Sequence, residues 1–171
     1  MKFGTLMLFT LLVAANTSTA LPELAGRIES KQPASCAEYR FFGTSIYRAE
    51  LWTDAVSMPG DAFALSLVYR RGFKRGTLVA SSISEMARIS GRPRSEFNAA
   101  KRELEQAFRT IEKGDRFTAW RGVPDRIEFF KNGIRTGALT HDADLFLDIW
   151  LGAESRNRKH RARLLSGRCD D

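Results

Sequence analysis

Three side chains near the C-terminus have types and a spacing that could do chemistry. His141, Asp144 and Asp148 fall at i, i+3 and i+7 in "HDADLFLDIWLG", His141 to Gly152. On a helix these positions share a face, so one imidazole and two carboxylates converge. Such a set suits a divalent cation, or proton transfer between imidazole and carboxylate. The rival reading is the wet edge of a buried helix, because Leu145, Phe146, Leu147, Ile149, Trp150 and Leu151 surround the acids. An acid in a first helical turn also suits the helix dipole without any further purpose. Other catalytic equipment is sparse. The chain has two histidines and two cysteines, and no Gly-rich phosphate loop, CxxC or HExxH motif, so no cofactor is expected. The second histidine, His160, stands among arginines that oppose its protonation.

The bulk sequence decides where such a site would work. The 171 residues suit one domain. Lys2, the apolar run Phe3 to Ala15 and the small residues Ser18 and Ala20 form the layout of a secretory signal over residues 1–20, cut before Leu21. A lead-in over residues 21–35 and one domain over residues 36–171 follow. No later stretch approaches the roughly 18 apolar residues of a membrane-spanning helix. Export places Cys36 and Cys169 in an oxidising compartment, where a bridge between them is expected. The formal charge is +7 and arginine dominates the basic set. An exported chain has little call for nucleic acid, which leaves anionic lipid headgroups or acidic small molecules as partners. The segment "RNRKHRARLLSGR", Arg156 to Arg168, reads either as a basic helix on a membrane surface or as a terminal helix docked by its leucines. Arg70, Arg71, Lys74 and Arg75 form a second basic knot that could take a carboxylate or phosphate.

The elements follow from periodicity. Strands are expected at 38–42, 45–52 and 63–70, with Gly43 as a bend and "MPGD" as a turn. Helices are expected at 77–89 and 95–111. In the second, Phe97, Ala100, Leu104, Phe108 and Ile111 make one stripe, Ser95 is the N-cap candidate, and Glu105 and Arg109 stand in the favourable i, i+4 order. Strands at 116–120 and 126–130 come next, then an Asn132-Gly133 hairpin, a returning strand, the His141–Gly152 helix and a basic helix near 157–165. Strands followed by helices, with no strict alternation, predict an α+β fold: an antiparallel sheet with helices layered on one face.

Four stretches carry a resemblance when taken together in this order: "GTSIYRAELW" (Gly43–Trp52), "FALSLVYRR" (Phe63–Arg71), "GDRFTAW…RIEFFKNGIRTGAL" (Gly114–Leu139) and "FLDIWLG" (Phe146–Gly152). The chain resembles the bacterial, exported chalcone isomerase-like proteins. The resemblance implies an open-faced β-sandwich, one large antiparallel sheet under a helical layer, and a bacterial periplasmic location. Enzyme relatives close a flavanone ring with an Arg, hydroxyl side chains, a Tyr and an Asn between sheet and helices. Carried over, the strand hydroxyl falls at Phe42 and the late-helix hydroxyl at Ile149. The Tyr is missing from its segment, since Tyr39, Tyr47 and Tyr69 all precede it, and the Arg falls at Arg27 or is replaced by Lys31. Isomerase chemistry is therefore not expected, because polarising a ketone needs those hydroxyls. Some plant relatives of this fold hold fatty acids. The implied role is a cleft lined by Phe42, Tyr47, Ile149 and Trp150, with Arg27 at its mouth, holding a fatty acid or another small hydrophobic carboxylate. The alternatives are an enzyme working through His141, Asp144 and Asp148, and an envelope scaffold acting through its basic face.

Overall fold

The structure, a computed structural model, describes residues 20–169. The leader expected over residues 1–20 lies outside these apart from Ala20. Six strands form one sheet in sequence order, every neighbour antiparallel: β1 (Ser35–Phe41), β2 (Thr44–Trp52), β3 (Phe63–Tyr69), β4 (Arg116–Val123), β5 (Arg126–Lys131) and β6 (Ile134–Leu139). Between β3 and β4 the chain makes α1 (Arg75–Ser90), a 3-10 turn (Arg94–Phe97) and α2 (Asn98–Ala107). After β6 come α3 (Ala143–Leu151) and α4 (Arg158–Leu164). The fold is α+β, a single sheet with helices over one face.

Strand alternation builds the core. Leu51, Leu65, Leu67, Phe117, Ala119, Ile127 and Phe129 point to the helical side. They meet Ile83 and Met86 of α1, Leu104 of α2 and Phe146 and Leu147 of α3. The opposite face is not bare. The lead-in makes a 3-10 turn at Pro22–Leu24, and Leu21, Leu24 and Ile28 cover Trp52 and Ala64 there. Glu23, almost fully buried, accepts a hydrogen bond from Thr118 Oγ1 at 2.7 Å. Beside it Arg116 donates to Glu50 at 2.5 Å and to Ser66 at 3.0 Å, so this face carries a buried polar network.

The expected helix over 95–111 is divided. Ser95 lies inside the 3-10 turn and makes no cap, and α2 stops at Ala107 because Phe108 is extended, with ψ 151°. Arg109 does not reach Glu105. It donates to the Gln106 and Phe108 carbonyls at 2.6 and 2.8 Å, closing the helix end, while Glu105 pairs with Lys101 at 3.7 Å. Ile111 then bridges to Phe73. The stripe ran on past the helix because Phe108 and Ile111 enter the same core from extended backbone.

Two connections hold the layers. Cys36 on β1 is bonded to Cys169 behind α4, across a sequence separation of 133 residues. At the other edge α2 lies directly on β6, where Gly137 has no Cβ and one placed there would come within 2.8 Å of the Ala107 Cα. Gly137→Ala must push helix and strand apart. Its expected cost is about 1–3 kcal/mol, read as a lower urea midpoint at unchanged slope. Replacing Cys36 and Cys169 together by Ser is expected to lower stability by up to about 4–5 kcal/mol, read in the same titration against the oxidised protein.

Candidate functional site

The helical layer does not lie evenly on the sheet. The backbone of α2 approaches β6, whereas that of α1 makes its closest approaches to α2 and α3. A cavity of about 290 Å³ remains between α1, α3 and the middle of the sheet. Its depth is apolar: Leu65, Leu67, Phe117 and Phe129 from the strands, Phe108 after α2, and Phe146 from α3. Thr77, Ser81 and Glu85, one turn apart on α1, border the outer side, where Thr77 and Ser81 are exposed. The cavity therefore opens between α1 and the β1–β2 end of the sheet.

Three tyrosines form one rung across that end. Tyr39, Tyr47 and Tyr69 are register partners on β1, β2 and β3. Tyr39 and Tyr47 stack at 4.9 Å between centroids, and Tyr69 meets Tyr47 edge-on at 5.8 Å. Trp150 donates from Nε1 to the Tyr47 hydroxyl at 2.9 Å, tying α3 to the rung. A phenol that accepts one hydrogen bond keeps its own O–H to donate. Burial pushes the pKa of both Tyr47 and Tyr69 up, so they stay protonated donors at ordinary pH.

A smaller recess continues from the rung past Ile149 to Arg156, Asn157 and His160. Glu85 accepts from Arg88 at 2.9 Å and from Arg156 at 2.6 Å. Burial raises the Glu85 pKa, but the hydrogen bonds from the two arginines outweigh it and hold the carboxyl below its usual range. His160, 6% exposed, packs edge-on against Tyr39 and Tyr47. Its Nε2 has no hydrogen-bond partner among the described residues. Burial takes its pKa down to about 4, against smaller pulls from the Ala37 backbone and Glu38. Loss of water, not the neighbouring arginines, keeps this imidazole neutral.

The sequence candidates separate. Tyr47, Ile149 and Trp150 line the cavity. Phe42 does not. It sits in the two-residue β1–β2 turn with Gly43, 92% exposed, with φ 47°. Its lack of a hydroxyl therefore has no bearing on chemistry in the cavity, whereas Ile149 does place a methyl-bearing side chain there. Arg27 lies on the opposite face of the sheet. Its guanidinium stands 5.7 Å from the Trp120 ring and 5.4 Å from that of Phe130, and it donates to Glu128 at 2.8 Å. It clamps the lead-in segment, and Arg156 is the arginine at the recess instead.

His141, Asp144 and Asp148 do not converge. His141 precedes α3, which begins at Ala143 after Asp142 in the left-handed region, and its ring lies 2.9 Å from Glu103. Asp144 accepts from Arg121 at 2.7 Å, and this bond holds its pKa down. The Asp148 pKa is raised, by burial first and then by Asp144. No cluster of three or more potential metal ligands occurs among the described residues. Tyr39, Tyr69, Glu85 and Arg156 were missed by sequence reasoning. The signal for the first two was alternation, since each tyrosine has the inward parity of its strand.

No family model and no curated protein matches the chain. Among solved structures it is similar to the crystal structure of a fatty-acid binding protein of Arabidopsis thaliana (AtFAP1). The TM-score is 0.54 at 11% identity, covering 77% of this chain and 83% of that one. The fold is of the chalcone isomerase-like type. The likeness lies in the backbone.

His160 supplies a pH test. The unfolded imidazole takes up its proton below about 6.5, the folded one only below about 4. Between these values the unfolded chain binds more protons, so stability falls as pH falls through this window, by up to about 3 kcal/mol. Urea midpoints measured from pH 7 down to about 4 should show that loss. His160→Leu should remove the part of it between about pH 6.5 and 5, above the range in which the carboxylates take up protons.

Proposed function

We propose that the protein is an exported, non-catalytic carrier of one fatty acid or similar small hydrophobic carboxylate. The observation that carries this reading is the apolar cavity with its donors confined to one end. Its volume of about 290 Å³ is near the lower end of the ~300–1,000 Å³ usual for small-molecule sites. That favours one slender chain over a multi-ring substrate. An alkyl tail would lie among Leu65, Leu67, Phe117, Phe129 and Phe146. The carboxylate would stay at the recess, where the Tyr47 hydroxyl donates and Arg156 exchanges Glu85 for the ligand. Leaving the charge at the mouth avoids the large cost of burying it unpaired. The fatty-acid binding function of the structural neighbour supports the same reading.

Native mass spectrometry and titration with saturated acids of graded length provide the test. One acid per chain is expected. Ala119→Leu adds three carbons, an isopropyl group, in the cavity and should abolish binding of acids and of their methyl esters. Arg156→Ala should weaken only the acids, by about five- to ten-fold. An empty protein that ignores the whole panel would remove the proposal.

A further inference from the structure

The β1–β2 turn has a composition that the fold itself does not call for. Two-residue hairpin turns want Asn or Gly, because both central residues take positive φ. Gly43 satisfies this at φ 78°, but Phe42 occupies the other position at φ 47°. A bulky residue there costs roughly 1–2 kcal/mol relative to one that accepts the left-handed region. Phe42 obtains no core packing in return. It is 92% exposed, beside Phe41 at 58%, and their rings touch each other edge-on at 4.5 Å. An apolar pair is therefore held at the outermost point of the sheet.

The surroundings of this tip are basic. Arg40 precedes it, and Arg70 and Arg71 leave β3 at the same end, where the Arg70 amide donates to the Ile46 carbonyl at 2.9 Å. Lys74 and Arg75 follow at the start of α1. All five cations are exposed; Glu38 accepts from Arg70 at 3.4 Å, and Glu112, whose backbone lies beside Gly72, is a second exposed acid at this end, so the cations remain in excess. Two copies meeting tip to tip would bring these cations together, which disfavours self-association. Aromatic side chains at an apex ringed by cations instead match a bilayer, with rings among the acyl carbons and guanidinium groups at anionic headgroups.

We infer that the Phe41–Phe42 hairpin tip, with Arg40, Arg70, Arg71, Lys74 and Arg75, is a docking surface for an anionic lipid bilayer. Of the cavity-lining residues, Ile46 follows the tip on β2 and its carbonyl accepts from the Arg70 amide, while Phe73 and Thr77 flank Lys74 and Arg75 in the chain. Docking would set the cavity mouth against the membrane, where an acyl chain could pass without crossing water. The surface is read independently of the cavity, and only the cargo rests on the carrier proposal.

The test is sedimentation of the full chain with vesicles of phosphatidylcholine, with and without phosphatidylglycerol. Binding to the anionic vesicles alone is expected, and about 0.5 M salt should reverse it. Phe42→Asp should weaken binding about ten-fold or more. Arg71→Gln should weaken it about five-fold. Phe42→Asn suits the turn better, so it should raise the melting temperature while still losing vesicle binding. Val123→Asp, an exposed position at the far end of β4, should change nothing. Equal binding to neutral vesicles, no binding to either kind, or full binding by both Phe42 variants would overturn the inference. So would a dimer on gel filtration that Phe42→Asp dissociates. Fatty-acid titration of Phe42→Asn without vesicles should match the unchanged protein, so failure of the carrier reading would show up separately.

Discussion

The close approach of α2 to β6 sets the shape of this molecule. Gly137 brings the helix backbone within contact of the strand at that edge. Nothing comparable draws α1 onto the strands beneath it. The helical layer therefore sits as a wedge, shut at β6 and open toward β1–β3. An apolar sheet face must be covered, and here it is covered incompletely, by elements hinged at one edge. The cavity is the volume left by that geometry, and α4 packs along β1 at the opposite margin.

Polarity is distributed across the wedge in a graded way. Phenylalanines from β4, β5, α3 and the extended segment after α2 meet at depth, where no hydrogen-bond donor is needed. The tyrosine rung comes next, with the Tyr47 and Tyr69 hydroxyls held protonated by burial and that of Tyr47 tied to Trp150. Charged groups appear only at the recess, as Glu85 with Arg88 and Arg156. This order keeps ionised atoms in contact with water and lets the interior stay dry, as the energetics of charge burial require. A chain with an apolar tail and an ionised head matches the same gradient.

Much of the fold was legible in the sequence, because strand alternation and helix stripes are local consequences of one-sided burial. The six strands, the long helices and the Asn132-Gly133 hairpin follow from it. Where local signals misled, a longer-range contact prevailed. Phe108 and Ile111 kept helical spacing yet belong to extended chain, since the core accepts an apolar residue from any backbone. Arg109 left its helical partner for free carbonyls at the helix end. Arg27 was separated from the cavity by the whole thickness of the sheet, because Leu21, Leu24 and Ile28 carry the lead-in to the far face. His141, Asp144 and Asp148 shared a face only if the helix began before His141, and it begins at Ala143.

By itself the sequence determined the residue classes: which strand positions face inward, that the chain is poor in catalytic groups, and that its two cysteines lie far apart in the chain. It determined that Ile149 and Trp150 share a helix with an apolar inner side. Only the tertiary structure decided which of these meet. Tyr39, Tyr47 and Tyr69 lie up to thirty positions apart in the chain and become one rung through strand register. Phe42, by contrast, is close to Tyr47 in sequence and remote from the cavity, because a two-residue turn reverses the chain there and leaves its side chain at the apex. Proximity along the chain sets the local element. Pairing between elements sets the site, and no local periodicity encodes it.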